Sequence, residues 1–237
     1  MSEENVKKLG TLVEKREELE GTKIFRMLLN LGTSNYAVSK NYQELSSAFA
    51  FYEGNLEIWN VQKRQKLNFF LRELSRLLHN YLSSTFSLIR HNVKLCNELN
   101  CHELSQDYSK EVDALELNDC YWFVKDLRNF AQHGLPILSA QISFSRTQGN
   151  SEFKHRNTMD KDILLNWKEW KRGSKNYINS HEEIDLKLVI NEYQTLIRNF
   201  YIWFNKKVVQ LYSKQLEEFA KVDHEIGRLN QELFNKS

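Results

Sequence analysis

The chain has 237 residues, of which 41% are hydrophobic and 27% are charged, and its formal net charge is +2. This balance is typical of a globular domain with a real core, and the small charge neither requires nor excludes nucleic-acid binding. Eight glycines and one proline leave few turn residues, which argues against a sheet-rich fold and favours long helices.

The cellular setting is predicted from what the sequence lacks. Its three cysteines, Cys96, Cys101 and Cys120, have no Cys-x-x-Cys spacing, so neither a disulfide framework nor a zinc site is expected. Residues 1–10 are charged and do not resemble a secretory signal. No apolar stretch is long enough for a membrane span, so the predicted location is the cytoplasm.

The first part of the chain has helical periodicity interrupted by polar residues. Residues 3–31 are predicted to form one or two helices, with breaks at Gly21 and Gly32. Residues 33–43 (TSNYAVSKNYQ) are expected to form a polar connector, and a short helix ended by Gly54 should follow.

The strongest periodic signal lies between residues 56 and 99. Apolar residues recur there at steps of three and four, which predicts one long helix with a buried stripe. The predicted stripe consists of Leu67, Phe70, Leu74, Leu77, Leu78, Tyr81, Thr85, Ile89 and Val93.

The middle of the chain is less regular. A short helix is predicted within residues 101–118, and Asn118 or Asp119 is expected to cap a helix that ends near His133. After it, partial alternation and β-branched residues allow a small β-hairpin at 137–158.

The last part of the chain is again helical. A short helix capped by Asp160 is expected to contain Trp167 and Trp170, with both indoles turned inward, and a long helical region at 184–235 follows. The stripe of that region is predicted to be Leu186, Ile190, Tyr193, Ile197, Phe200, Phe204, Val208 and Leu211. A seam then continues through Phe219, Val222, Ile226, Leu229 and Leu233. This seam either dimerises or packs on the N-terminal helix of the same chain, and the second option is favoured.

The stretch LRNFAQHGLPIL, residues 127–138, contains the only proline of the chain. Five residues of a straight helix advance about 500°, so Arg128 and His133 would point roughly 140° apart. They converge only if the helix ends at His133, and Gly134 followed by Pro136 predicts that end.

An arginine, an amide and a histidine at one helix end suit metal-independent cleavage of RNA. Histidine can take the 2′-hydroxyl proton or protonate the leaving oxygen, because its pKa lies near neutrality. Arginine can bind the non-bridging phosphate oxygens, and the adjacent Asn129 amide can orient the phosphate. One histidine cannot readily be acid and base together, so a symmetric dimer with two copies across one cleft is expected.

The spacing alone has little specificity. In a chain of this composition a histidine follows an arginine at such a distance about once by chance. Arg72 and His79 have a comparable spacing and are interpreted as a polar flank of the long helix. For Arg128 and His133 the alternative is an ordinary helix end, at which a histidine contacts free carbonyl groups.

The sequence around Arg128 resembles the signature of HEPN-domain proteins: an arginine, a polar residue, three further positions and a histidine at a helix end. Residues 76–91 (RLLHNYLSSTFSLIRH) resemble the long first helix of such domains, and residues 184–204 (IDLKLVINEYQTLIRNFYIWF) resemble the helix that closes them. The resemblance covers roughly residues 65–212.

This resemblance implies an all-α up-and-down bundle that forms homodimers with paired motifs facing a cleft. It also implies a cofactor-free endoribonuclease activity that needs no metal, often in toxin–antitoxin or phage-defence systems. It assigns catalysis to Arg128 and His133, with Asn129 as the polar partner. Residues 56–212 are then the bundle, with a helical extension at 1–55 and a C-terminal tail at 213–237 that continues the bundle.

Further RNA contacts are expected from basic and polar side chains near the motif and in the segment after residue 168. They are Lys125, Gln132, Lys171, Arg172 and Lys175. The alternative function is that of a non-catalytic RNA- or nucleotide-binding subunit or a helical scaffold. Such a subunit would pair, for instance, with a nucleotidyltransferase-like protein, and the terminal helices would be the contact surface. An antitoxin is the other partner protein expected.

Overall fold

The computed structural model describes residues 3–55, 57–58, 62, 64–133, 138–147 and 150–234. Within these residues the chain forms nine helices: α1 (Glu3–Glu18), α2 (Glu20–Gly54), α3 (Arg64–Leu99), α4 (His102–Glu116), α5 (Asp119–His133), α6 (Lys161–Asn166), α7 (Arg172–Ser180), α8 (Leu186–Leu211) and α9 (Ser213–Phe234). The strands are β1 (Leu138–Thr147), β2 (Asn150–Met159) and β3 (Ile184–Asp185). The predicted all-α class with a small hairpin is confirmed.

The hairpin belongs to one small antiparallel sheet. Strands β1 and β2 pair with Leu138 opposite Met159, and β3 adds to the other edge of β2 with Ile184 also opposite Met159. Leu138, Met159 and Ile184 are buried in the main core. The base of the hairpin is therefore attached to the helical bundle by an apolar contact.

The two predicted stripes, on α3 and α8, form a large part of the core. Every predicted stripe residue of α8 from Leu186 to Val208 is buried, so that prediction is confirmed. The stripe of α3 is confirmed from Phe70 to Thr85, with Leu67 and Ile89 half-buried, and the buried face then continues through Leu88, Asn92 and Leu95. Val93, predicted to be buried, is 41% exposed.

Helix geometry explains where the α3 stripe was wrong. Each step of four residues turns 40° past a full rotation, so three such steps from Tyr81 carry Val93 about 120° around the axis. The buried positions instead alternate steps of four and three after Tyr81, which keeps them on one face.

The predicted connector at residues 33–43 is wrong, because α2 runs through it and through Gly32 without a break. Between residues 31 and 45 the fully buried residues are Leu31, Val38 and Leu45, one every seven residues. One fully buried residue per two turns, with half-buried neighbours such as Tyr42, is enough to hold this part of the helix against the core.

The first helix break falls at Leu19 rather than at Gly21. Gly21 is instead buried inside α2, where a Cβ would overlap the Gln215 carbonyl oxygen of α9 and lie 2.9 Å from Phe219 Cβ. The absence of a side chain at Gly21 therefore allows the backbones of α2 and α9 to approach closely.

Gly21→Ala should lower the free energy of unfolding by about 1–3 kcal/mol, because the methyl group must push α9 away. Gly227→Ala in α9 is the matched control, since a Cβ there would meet nothing within 4 Å. That exposed helical change should stabilise the protein by about 0.5–1 kcal/mol. Urea denaturation of both variants tests the contrast, which would be contradicted by equal shifts of the same sign.

Two aspartates cap helices beside the sheet. Asp160 accepts hydrogen bonds from the backbone N–H groups of Asp162 and Ile163, as predicted for α6, and Asp185 caps α8 in the same way.

The prediction that α6 includes the tryptophans is wrong, because α6 ends at Asn166. Trp170 is nevertheless buried, as expected, and donates a hydrogen bond to the Leu164 carbonyl at 2.6 Å.

The seam of α9 packs within the chain. Phe219, Val222, Ile226 and Leu229 are buried, and α9 lies against α1 and α2. Ion pairs between Lys8 and Glu225 and between Arg16 and Asp223 flank this contact. The favoured intrachain packing of the seam is therefore confirmed.

The predicted boundaries after residues 55 and 212, between N-terminal extension, bundle and C-terminal tail, stay a prediction. Buried residues of α2, which lies in the predicted extension, belong to the same core as those of α3 and α8. Among the described helices, none combines the length and apolar character needed to cross a bilayer.

Candidate functional site

The helix that carries the candidate motif has both of its predicted ends. The Asn118 side chain accepts a hydrogen bond from the Tyr121 N–H at 3.2 Å, so Asn118 caps α5 as predicted. Helix α5 ends at His133, also as predicted. Gly134 and Pro136, which are expected to stop it, lie outside the described residues.

A buried carboxylate fixes α5 against the start of α7. Asp126 is only 2% exposed, and its Oδ2 accepts hydrogen bonds from the Lys171 N–H at 2.8 Å and from the Ser174 hydroxyl at 2.6 Å. Gly173 lies between these two donors, where a Cβ would be 2.6 Å from Trp122 Cδ1. The first turn of α7 is therefore held directly over the indole of α5.

Arg128 lies in the last turns of α5 and is fixed by three neighbours. Its guanidinium carbon lies 4.1 Å from the ring centroid of Phe86 on α3. Its Nη1 donates hydrogen bonds to Gln132 Oε1 at 2.8 Å and to Asn129 Oδ1 at 3.3 Å. The predicted residues Arg128, Asn129 and Gln132 thus form one cluster.

The charge of Arg128 is not neutralised by this cluster. Both hydrogen-bond acceptors are uncharged amides, and no carboxylate among the described residues forms an ion pair with Arg128. Because Asn129 accepts through its oxygen, its amide NH₂ can still donate to a ligand. The cluster is therefore preorganised to receive an anion.

A second arginine reaches the same aromatic ring. The guanidinium carbon of Arg90 on α3 lies 5.6 Å from the Phe86 centroid. Neither Phe86 nor Arg90 is predicted from the sequence as a site residue. The sequence did contain a signal for this pair. Phe86 is an aromatic residue outside the predicted stripe of α3, and Arg90 follows it after four residues, so the two side chains are neighbours on one face of the helix.

The predicted basic residues at the other end of α5 meet at Trp122. Lys125 Nζ lies 4.3 Å and Lys171 Nζ 4.6 Å from the Trp122 ring centroid, and Lys125 also forms an ion pair with Glu116 at 3.3 Å. Arg172 and Lys175 are exposed in the first turn of α7. Lys125 precedes Arg128 by about one turn of α5, whereas Lys171, Arg172 and Lys175 belong to the start of α7 and are brought to α5 at Trp122 by Lys171.

The sequence predicts that the His133 side chain turns towards Arg128. This side chain lies outside the described part of the structure, so its turn stays a prediction. Arg128, Asn129 and Gln132 lie within the last two turns before His133, so the helix brings all four residues to one end. The chemistry available at this end is a fixed guanidinium, two amides and an imidazole.

The other reactive groups are placed differently. Burial raises the pKa of the Cys120 thiol to about 12, so it is not a thiolate at neutral pH. The three cysteines are free thiols. Within the described ranges, no group of three or more His, Cys, Asp and Glu side chains is arranged to hold a metal ion.

Comparison of the chain with protein-family models, with curated proteins and with solved structures finds no significant match. The functional conclusion therefore depends on the motif and on the geometry around Arg128.

Proposed function

We propose that this protein is a metal-independent endoribonuclease of the HEPN type, with Arg128, Asn129 and His133 at the site of cleavage. The proposal includes a cytoplasmic homodimer and a role in a toxin–antitoxin or phage-defence system. It extends to RNA contacts by Lys125, Gln132, Lys171, Arg172 and Lys175.

The observation that supports it is the state of Arg128. Among the described residues the guanidinium is stacked on Phe86 and hydrogen-bonded to the amides of Asn129 and Gln132 alone, so these contacts leave its charge for an external anion. An arginine that serves only stability is more simply placed beside a carboxylate, as Arg16 is beside Asp223. A phosphodiester fits this group, because its two non-bridging oxygens can accept two parallel hydrogen bonds from one planar guanidinium.

The reaction follows from the chemistry of these groups. The 2′-hydroxyl of the RNA loses its proton to a neutral His133, and its oxygen attacks the adjacent phosphorus. The bond from phosphorus to the 5′-oxygen breaks, and a protonated His133 gives a proton to that leaving oxygen. The products are a 2′,3′-cyclic phosphate and a 5′-hydroxyl, while Arg128 stabilises the charge on the non-bridging oxygens.

The two proton transfers are the reason for proposing a dimer. They need one neutral and one protonated imidazole at the same phosphate, and the motif of one chain supplies a single histidine. A two-fold axis beside the end of α5 would supply the second copy.

The direct test is incubation of purified wild-type protein with single-stranded RNA in EDTA. We expect fragments that carry 2′,3′-cyclic phosphate and 5′-hydroxyl ends, identified by mass spectrometry. Cleavage that disappears in EDTA and returns with added Mg²⁺ would contradict the metal-independent mechanism. A complete absence of cleavage of structured and unstructured RNA would contradict the proposed function itself.

The scaffold alternative used the seam of α9 and the N-terminal helix as its contact surface. In the structure these helices cover each other, with Phe219, Val222, Ile226 and Leu229 buried between them and the body. A scaffold function would therefore use the outward faces of these terminal helices, since the apolar seam itself is covered.

A further inference from the structure

Two arginines share one aromatic ring beside the candidate site. The guanidinium carbons of Arg128 and Arg90 lie 4.1 and 5.6 Å from the Phe86 centroid. Since both groups are within cation–π range of one ring, they are separated by roughly 10 Å or less. Phe86 is half-buried and Arg90 is exposed, so the pair lies at the protein surface.

Neither positive charge is compensated by the described residues. No ion pair or hydrogen bond to a carboxylate is formed by Arg90 or by Arg128. The next cation along α3, Lys94, is by contrast 3.7 Å from Glu98, and Arg76 Nε donates to Glu73 Oε2 at 2.9 Å. Two like charges held close together without a counterion favour the binding of an anion between or across them.

We infer that Arg90 and Phe86, together with Arg128, form a second phosphate subsite for single-stranded RNA. This inference rests on the proposed function, in which Arg128 binds the phosphate that is cleaved. A second guanidinium fixed near Arg128 can then reach a neighbouring phosphate of the same strand. Arg90 is thus a binding residue that determines the path of the strand across α3, and it takes no part in proton transfer.

Single-stranded RNA is favoured over a duplex by the surface chemistry. Aromatic rings and arginine side chains at a cationic surface are the usual contacts of single strands, whose bases and phosphates are both accessible. Trp122 with Lys125 and Lys171 repeats the same combination of one ring and two cations further along α5. A strand bound at Arg128 can therefore meet one cation–aromatic cluster at Phe86 and a second one at Trp122 on the same helix as Arg128.

The test measures binding separately from cleavage. A short fluorescent 2′-O-methyl oligonucleotide lacks the attacking hydroxyl, and its Kd is determined by anisotropy over a series of NaCl concentrations. Arg90→Ala should raise Kd about tenfold and reduce the slope of log Kd against log salt by about 0.7, the value for one lost phosphate contact. Arg90→Lys should keep the salt slope because it keeps the charge.

Arg76→Ala is the matched control, because it makes the same substitution on α3 at an arginine already paired with Glu73. It should leave Kd unchanged, and circular dichroism melting establishes that all variants are folded. The inference is overturned if Arg90→Ala binds the oligonucleotide as wild type does, or if wild type does not bind it.

The two proposals fail in different ways. If wild type cleaves RNA but Arg90→Ala binds the oligonucleotide with an unchanged Kd, the subsite is contradicted and the nuclease proposal stands. If binding depends on Arg90 but wild type cleaves no RNA, the nuclease proposal is contradicted and Arg90 belongs to an RNA-binding surface.

Discussion

Arg128→Ala is expected to reduce RNA cleavage in EDTA roughly 100- to 1,000-fold, the usual cost of removing one preorganised charge from a transition state. His133→Ala should reduce it by roughly 100- to 10,000-fold, the usual contribution of a general acid or base, because His133 is the proton-transfer group of the proposed mechanism. Initial rates with a fluorogenic single-stranded RNA measure both effects. Identically purified variants also exclude a contaminating nuclease.

Arg72→Ala and His79→Ala are the matched controls for these variants. This second arginine–histidine pair lies exposed on α3, beside the buried Leu74 and Leu78. Both controls should retain wild-type rates. If they lose activity while the α5 variants keep it, the site has been assigned to the wrong helix.

Mixed dimers test whether one site is shared by two chains. When wild type and His133→Ala are refolded together in equal amounts, a shared site leaves only the pure wild-type dimers active. With random pairing that is about a quarter of all dimers. Activity at half the wild-type value would instead mean that each chain carries a complete site.

Asp126→Ala is expected to lower the free energy of unfolding by about 2–3 kcal/mol. The change leaves the Lys171 N–H and the Ser174 hydroxyl without their buried acceptor, and unsatisfied buried donors are costly. Asp126→Asn should cost less, since one acceptor oxygen remains. Chemical denaturation followed by tryptophan fluorescence provides the measurement.

Asp113→Ala is the control for this loss. Asp113 is exposed on α4 and has no hydrogen bond or ion pair with the described residues, so its removal should change stability by less than about 0.5 kcal/mol. Equal losses in both variants would mean that the carboxylate of Asp126 does not hold α5 to α7.

The sequence predicted those parts of the fold that are encoded locally. Caps by Asn118 and Asp160 and the stripe of α8 depend on neighbouring residues or on one helical face, and the structure confirms them. The continuity of α2 could not be predicted in this way. Its middle has one fully buried residue in seven, and α3 packs along it through residues well separated in sequence, as in the hydrogen bond from Asn41 to the Asn80 carbonyl 39 positions later.

The same limit applies to the candidate site. Arg128, Asn129 and Gln132 are found from the motif because they occupy consecutive turns of α5. Phe86 and Arg90 lie on another helix, and their relation to Arg128 is created only when α3 packs against α5. The approach of Lys171 to the Trp122 indole likewise depends on contacts between helices, here the hydrogen bonds of Asp126, whereas Lys125 reaches the same ring from one turn along α5.

The contact between α1 and α9 has a consequence for the order of folding. Arg16 and Asp223 are 207 positions apart, and α9 is synthesised after every other described helix. During translation α1 and the start of α2 therefore remain without their covering helix, while α3 and α5 are already able to pack. Closure of so long a loop is entropically slow, so docking of α9 should be a late step in folding.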